Sequence, residues 1–172
     1  ATVTPRGAVA TTIDVAGAAF TDAAGNNNTA ATQFNWTYDT TPPTMTITAS
    51  EVSDGDASNH STLSLTFTSS EATTDFAEVD IRVSGGSLSS FTASSSTVYT
   101  GTFNPSGAGA TTIDVAVGGC RDAEGNNNTA ATQFNWTYDT TPPTMTITAS
   151  EVSAVEDAND RHRYFHLNET AS

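Results

Sequence analysis

Gln33-Phe34-Asn35-Trp36-Thr37-Tyr38-Asp39-Thr40-Thr41-Pro42-Pro43-Thr44-Met45-Thr46-Ile47-Thr48 is the stretch whose reading decides the fold, and it recurs unchanged from Gln133 to Thr148. The identical block is longer still, Gly25 to Ser53 against Gly125 to Ser153. Phe34, Trp36 and Tyr38 fall at every second position, and Met45 and Ile47 alternate with Thr44, Thr46 and Thr48, as half-buried strands require. Pro42-Pro43 cannot continue either strand. Two residues without N–H groups and with fixed φ make a short semi-rigid spacer between the last strand of one module and the first of the next.

The period is 100 residues. Ala10 to Ser53 matches Ala110 to Ser153 without gaps at all but six of 44 positions: Gly17/Val117, Ala18/Gly118, Ala19/Gly119, Phe20/Cys120, Thr21/Arg121 and Ala24/Glu124. A module of about 100 residues built from short strands and polar turns fits an all-β, immunoglobulin-like β-sandwich. One complete domain, residues 38–137, is flanked by two partial ones. Residues 1–37 carry the closing strands of one module, with Val3 aligned to Phe103, Ile13 to Ile113 and Phe34 to Phe134; residues 138–172 carry the opening strands of another.

Within the complete copy the alternation predicts seven strands. They centre on Met45/Ile47/Ala49, Leu63/Leu65/Phe67, Val79/Ile81/Val83, a weak strand around Leu88 and Phe91, Tyr99/Phe103, Ile113/Val115/Val117, and Phe134/Trp136. Glu51, Asp54 and Asp56 form an acidic turn, and Gly85-Gly86 another. No segment carries an apolar stripe at helical spacing, so helix should be nearly absent.

Composition narrows the class of function. The chain of 172 residues has no Lys, and five Arg stand against nineteen acids for a formal charge of −14, which disfavours nucleic acid and anionic membranes as partners. Cations are the better company, although acids also simply keep a surface soluble. Cys120 is the only cysteine; with Phe20 in its place in the other repeat it reads as a small buried apolar side chain. No apolar run reaches membrane-spanning length. The opening Ala1-Thr2-Val3-Thr4, without initiator Met or signal peptide, is expected of a mature or trimmed product.

The middle repeat resembles a bacterial immunoglobulin-like (Big-type) domain, the kind strung in tandem in extracellular adhesins and surface fibres. The resemblance rests on Asp39-Thr-Thr-Pro-Pro-Thr-Met-Thr-Ile47, on the run from Asp75 to Phe91, on Tyr99 to Pro105, and on Asp122-Ala-Glu-Gly-Asn-Asn-Asn-Thr-Ala130. It implies the sandwich fold, an extracellular or cell-surface location, and calcium near the junctions. The positions matching the calcium-binding carboxylates of such relatives are Asp22, Asp39, Asp122 and Asp139. Hard oxygen donors on neighbouring loops suit Ca²⁺. The same Asp, Asn and Gly residues are also ordinary turn formers.

No constellation reads as catalytic, and an enzyme is not expected. His60, His162 and His166 lie near no nucleophile, and the even spacing of the last two places them on one face of a presumed strand with Tyr164. Glu78 and Asp80 share the polar face of a sheet, without a cleft. N-glycosylation sequons stand at Asn27, Asn35, Asn59, Asn127, Asn135 and Asn168, with Asn35 and Asn135 aimed away from the neighbouring tryptophans towards solvent. In so Ser/Thr-rich a chain, several sequons arise by chance.

The complementary ends suggest a homopolymer. If the first strand pairs with the last and the second with the fifth, residues 138–172 of one molecule can complete residues 1–37 of the next, giving a head-to-tail filament through strand addition. The expected interface comprises Val3, Ile13, Val15, Phe34 and Trp36 on one side and Met145, Ile147, Phe165 and Leu167 on the other. Burying those last four would contribute about 6 to 12 kcal/mol before association costs. The third and fourth strands would be missing from the composite. Alternatives are a stalk segment of a long, calcium-stiffened adhesin, and a carbohydrate-binding module, which would need an aromatic platform on one face.

Overall fold

The computed structural model describes residues 2–7 and 9–148. The chain divides into two units, Ala1–Thr140 and Thr141–Ser172, the second described only over residues 141–148. The first unit holds a two-stranded sheet, β1 (Ala10–Ile13) with β2 (Phe34–Thr37), followed by a two-sheet module. One sheet of the module runs β3 (Met45–Ala49), β5 (Leu63–Ser69), β8 (Val98–Pro105), β7 (Gly86–Ala93). The other runs β4 (Ala57–Ser58), β10 (Phe134–Tyr138), β9 (Gly109–Val115), β6 (Ile81–Ser84). Every ladder is antiparallel except β4–β10, which is parallel. This is the strand order of an immunoglobulin sandwich.

Alternation carries the core. On β5, Leu63, Leu65 and Phe67 point inward and are fully buried, while Ser64, Thr66 and Thr68 face outward. They meet Ile113, Val115, Phe134 and Trp136 of the opposite sheet in one hydrophobic cluster, where the Phe103 and Trp136 rings pack edge to face at 6.3 Å. A second aromatic group closes one side: Phe67, Phe76, Phe91 and Tyr99 lie 4.9 to 6.5 Å apart between centroids. The Tyr99 hydroxyl is not left unsatisfied, because it sits 2.6 Å from Thr73 Oγ1 and donates to the Ser96 carbonyl at 3.1 Å. Gly86 is required by contact, since a Cβ there would lie 2.5 Å from the Phe103 ring.

The module departs from the sequence reading in three places. It has eight strands, not seven, because Ala57–Ser58 of the presumed turn pairs with the last strand. The first strand, β3, pairs with β5 and not with the last, whereas the second does pair with the fifth, β5 with β8. Val79 stands in a single 3₁₀ turn (Glu78–Asp80) and Val117 lies beyond the end of β9, so both are exposed despite continuing the period-2 pattern. The weak strand expected around Leu88 and Phe91 is present as β7, and both residues are half-buried because a bulge between Ser89 and Thr92 resets the alternation. The proline joint is also more than a spacer: Pro43 is buried, and its carbonyl accepts the Thr129 N–H at 3.0 Å.

The hairpin before the module repeats one inside it. Ile13↔Phe34 and Thr11↔Trp36 on β1–β2 reproduce Ile113↔Phe134 and Thr111↔Trp136 on β9–β10. Its surroundings differ completely. Ile113, Phe134 and Trp136 are 0%, 3% and 1% exposed, whereas Ile13, Phe34 and Trp36 are 40%, 61% and 40% exposed. Among the described residues no strand forms around Val3, which is itself exposed. The same contrast holds downstream, with Met45 at 5% and Met145 at 90%. Phe134→Ala is therefore expected to cost about 3 to 5 kcal/mol in chemical denaturation of the dilute, monomeric chain, and Phe34→Ala less than about 0.5 kcal/mol under the same conditions, although the two sites share sequence and register.

Candidate functional site

The loop between β9 and β10 is ordered by its asparagines. Asn128, buried, accepts the Cys120 N–H at 2.9 Å through Oδ1 and donates to the carbonyls of Ala116 and Thr129 at 3.0 and 2.7 Å. Asp122 accepts the Asn126 backbone N–H and its side-chain amide, both at 2.7 Å. Gly125 lies at φ +92°, a conformation open to glycine at little cost. The loop of the first repeat is built alike, with Asn28 holding Phe20, Ala16 and Thr29, and Asn26 holding Asp22. Local hydrogen bonds thus shape this loop even where no second sheet covers it.

The four expected calcium carboxylates fall in two successive pairs along the chain, Asp22 with Asp39 and Asp122 with Asp139. Asn126 donates both to the Asp122 carboxylate and, at 3.2 Å, to the Asp39 carbonyl, so those two residues meet where the joint enters the module. Asp22 stands on the loop of the first hairpin, and Asp139 follows β10, its N–H donating to the Ser58 carbonyl. Glu71 and Glu124, which the sequence pattern did not flag, add charge beside Asp122. Burial, then the charges of Asp122, Asp39 and Glu124, push the Glu71 carboxyl above its ordinary range. Among the described residues no group of three or more His, Cys, Asp or Glu side chains converges to hold a metal unaided. The donors present are of the right kind for a hard cation, with further oxygens needed from carbonyls, water or an adjoining repeat.

The expected assembly residues divide likewise. Ile13, Val15, Phe34 and Trp36 are exposed on the β1–β2 hairpin, and Met145 and Ile147 on the following segment; Phe165 and Leu167 lie outside the described residues. In the complete module Phe134 adjoins Met45 and Ile47, lining with them and Thr132 and Gln133 a shallow groove. On its outer edge β10 is covered by the chain from Asp54 to Ser58. Asn135 N–H donates to Asp54 Oδ1 at 2.7 Å, Gly55 N–H to the Asn135 carbonyl at 2.8 Å, Thr137 N–H to the Asp56 carbonyl at 2.9 Å, and Trp136 Nε1 to Ser58 Oγ at 3.0 Å. The outer edge of β2 has no such strand among the described residues. The signal for this edge strand was the Asp54-Gly55-Asp56 turn, too short to show alternation.

Of the sequons, Asn27, Asn35, Asn59, Asn127 and Asn135 are exposed, although Asn127 accepts from Arg121 Nε and the Asn135 amide donates to Asp54 and the Gln133 carbonyl. Asn168, His162 and His166 lie outside the described residues. Cys120 is buried, and burial together with Asp75 and Asp80 pushes its thiol up to about 11, which suits a packing role and not a reactive one. Phe67, Phe76, Tyr99, Phe103, Phe134 and Trp136 are buried in the core of the module, and Phe91 and Tyr138 pack against it.

Although burial opposes ionisation of Asp122, the Asn126 hydrogen bonds outweigh it and hold the carboxyl below its ordinary value of 3.8. A carboxyl depressed by folding contributes stability that is complete above that value and disappears as pH falls through the folded one. Glu71, shifted the other way, opposes this. Asp122→Asn should therefore flatten the loss of melting temperature between about pH 4 and pH 2, read by thermal denaturation at fixed ionic strength.

No helix among the described residues is long and apolar enough to cross a membrane. No protein of curated function gives a match to the chain. The family model described as the bacterial Ig-like domain matches residues 39–138, more than half of the sequence, and coincides with the two-sheet module. With strand order, core and sequence in agreement, the chain belongs to the bacterial Ig-like domain family.

Proposed function

We propose that the chain is a structural segment of an extracellular filament or rod, assembling head to tail as neighbouring polypeptide completes its partial Ig-like modules by strand addition. The observation that carries this reading is one sequence in two environments. The β9–β10 face is covered by β3 and β5, while the identical β1–β2 face lies open, and the segment identical to the start of β3, Met145 to Thr148, is also exposed. Covering Ile13, Phe34 and Trp36 would stabilise the assembly by roughly 1.5 to 3 kcal/mol per side chain, before the cost of association. No catalytic role is assigned. The interface is heterologous and so propagates unless its rotation closes a ring.

Sedimentation and electron microscopy of the full chain test the reading. Oligomers should lengthen with concentration, and Phe34→Asp or Met145→Asp should each abolish them while the melting of the central module stays in place. Monomers at every concentration, or assembly indifferent to both substitutions, would overturn it.

The crowding of Glu71 by Asp122, Asp39 and Glu124 favours a second element of the proposal, a calcium ion at the joint. A cation there would relieve the repulsion and hold Asp39 against the loop, stiffening a rod. Millimolar Ca²⁺ should raise the melting temperature of the wild type and lower the pKa of Glu71, whereas Glu71→Gln should melt higher than wild type in chelator and respond less to Ca²⁺. An unchanged melting curve on adding Ca²⁺ to the wild type refutes this element.

A further inference from the structure

Five sequons, at Asn27, Asn35, Asn59, Asn127 and Asn135, stand among the described residues, and the fold presents them differently. An N-glycan is built onto the side-chain amide of Asn, so the acceptor nitrogen has to be free and the three residues of the sequon have to leave any ladder to enter a transferase. Asn135 meets neither condition. Its N–H donates to Asp54 Oδ1 at 2.7 Å, its carbonyl accepts from Gly55 at 2.8 Å, and its amide donates to Asp54 Oδ1 at 3.3 Å and to the Gln133 carbonyl at 3.1 Å, all while β10 is paired with β9. Asn127 is bridged to Arg121, whose Nε donates to its Oδ1 at 2.9 Å. Its sequon continues through buried Asn128 to Thr129, whose N–H is held by the Pro43 carbonyl at 3.0 Å.

Asn27 occupies the same place in the loop of the first hairpin, bridged to Thr21 and followed by Asn28 with its own set of bonds. Asn35 makes no side-chain hydrogen bond among the described residues but is paired with Thr12 across β1–β2. Asn59 differs from all four. Asn59-His60-Ser61 lies between β4 and β5, outside every ladder, and residues 59–62 are exposed without a break. No hydrogen bond ties residues 59–61 to the rest of the described chain, so the amide and the backbone on both sides of it can be taken up without loss to the module.

We infer that Asn59 is the N-glycan acceptor among these five, taking an oligosaccharide from a polyprenyl-pyrophosphate donor, and that the fold and not the tripeptide makes the choice. Asn59 Nδ2 attacks the anomeric carbon of the sugar. The new C–N bond replaces the C–O bond to pyrophosphate, the amide gives up one proton to a base of the transferase, and polyprenyl pyrophosphate departs. The inference is independent of the proposed head-to-tail assembly. Asn59 directly follows β4, the edge strand of its sheet, and a bulky hydrated group there guards that edge against a foreign strand.

Incubating the folded full chain with a single-subunit oligosaccharyltransferase and a polyprenyl-pyrophosphate oligosaccharide tests it, with occupancy of the five sequons read by peptide mass spectrometry. Asn59 should be occupied roughly tenfold or more above each of the others, as expected when a competitor has to open one or two hydrogen bonds first. Asn59→Gln, which removes no hydrogen bond, should keep the melting temperature of the chain and leave the other four sequons as poorly occupied as before. Short synthetic peptides carrying the same sequons, freed from the fold, should lose the preference. A folded chain modified mainly at another of the five, or at none of them, overturns the inference. Peptides that show the same preference for Asn59 assign the choice to the tripeptide and overturn it as well.

Discussion

The structure depends on one contact, the closure of the β3–β5 face over the β9–β10 hairpin. Trp136, Phe134, Ile113 and Val115 leave solvent only because Leu63, Leu65, Phe67 and Phe103 come down on them. Hydrogen bonding alone does not make a module. The β1–β2 hairpin has the same sequence, the same ladder and the same asparagine-bound loop, yet it exposes every large apolar side chain it owns. A single sheet satisfies its backbone and still lacks a core, since burying an apolar face takes a second layer.

Much of this was legible in the residues. Strict alternation through Leu63/Leu65/Phe67 and Phe134/Trp136 located the inward faces, and the 100-residue period marked the repeat before any strand was assigned. The misplaced elements share a cause. Val79 and Val117 continue an apolar period past the point where the ladder ends, and a period alone cannot say where hydrogen bonding stops. Ala57–Ser58 is too short and too small to have a period at all, so the parallel edge strand was hidden inside a turn. The strand around Leu88 and Phe91 was read correctly, although the bulge between Ser89 and Thr92 is invisible to a pattern of fixed step.

The candidate site was half legible for a similar reason. Asp39 and Asp122 announce themselves by sequence, but that Asn126 ties the one to the other follows only from where the joint enters the module. Glu71 is close to Asp122 only through the fold; 51 positions separate them in the chain (122 minus 71). Repeats complicate the reading further. Identical motifs imply identical roles only where their neighbours are also present, and the hairpin of residues 1–37 shows how far an unchanged motif can differ in surroundings.

The parallel pairing of β4 with β10 has a mechanical consequence. The chain enters the module just ahead of β3 and β4 and leaves directly after β10. A pull on the two ends therefore drags these neighbouring strands in opposite directions along their length. The bonds joining Asp54, Gly55, Asp56 and Ser58 to residues 135–139 are then loaded together in shear, whereas a hairpin opened from its free end yields one bond at a time. A thread of such modules resists tension at its shortest strand.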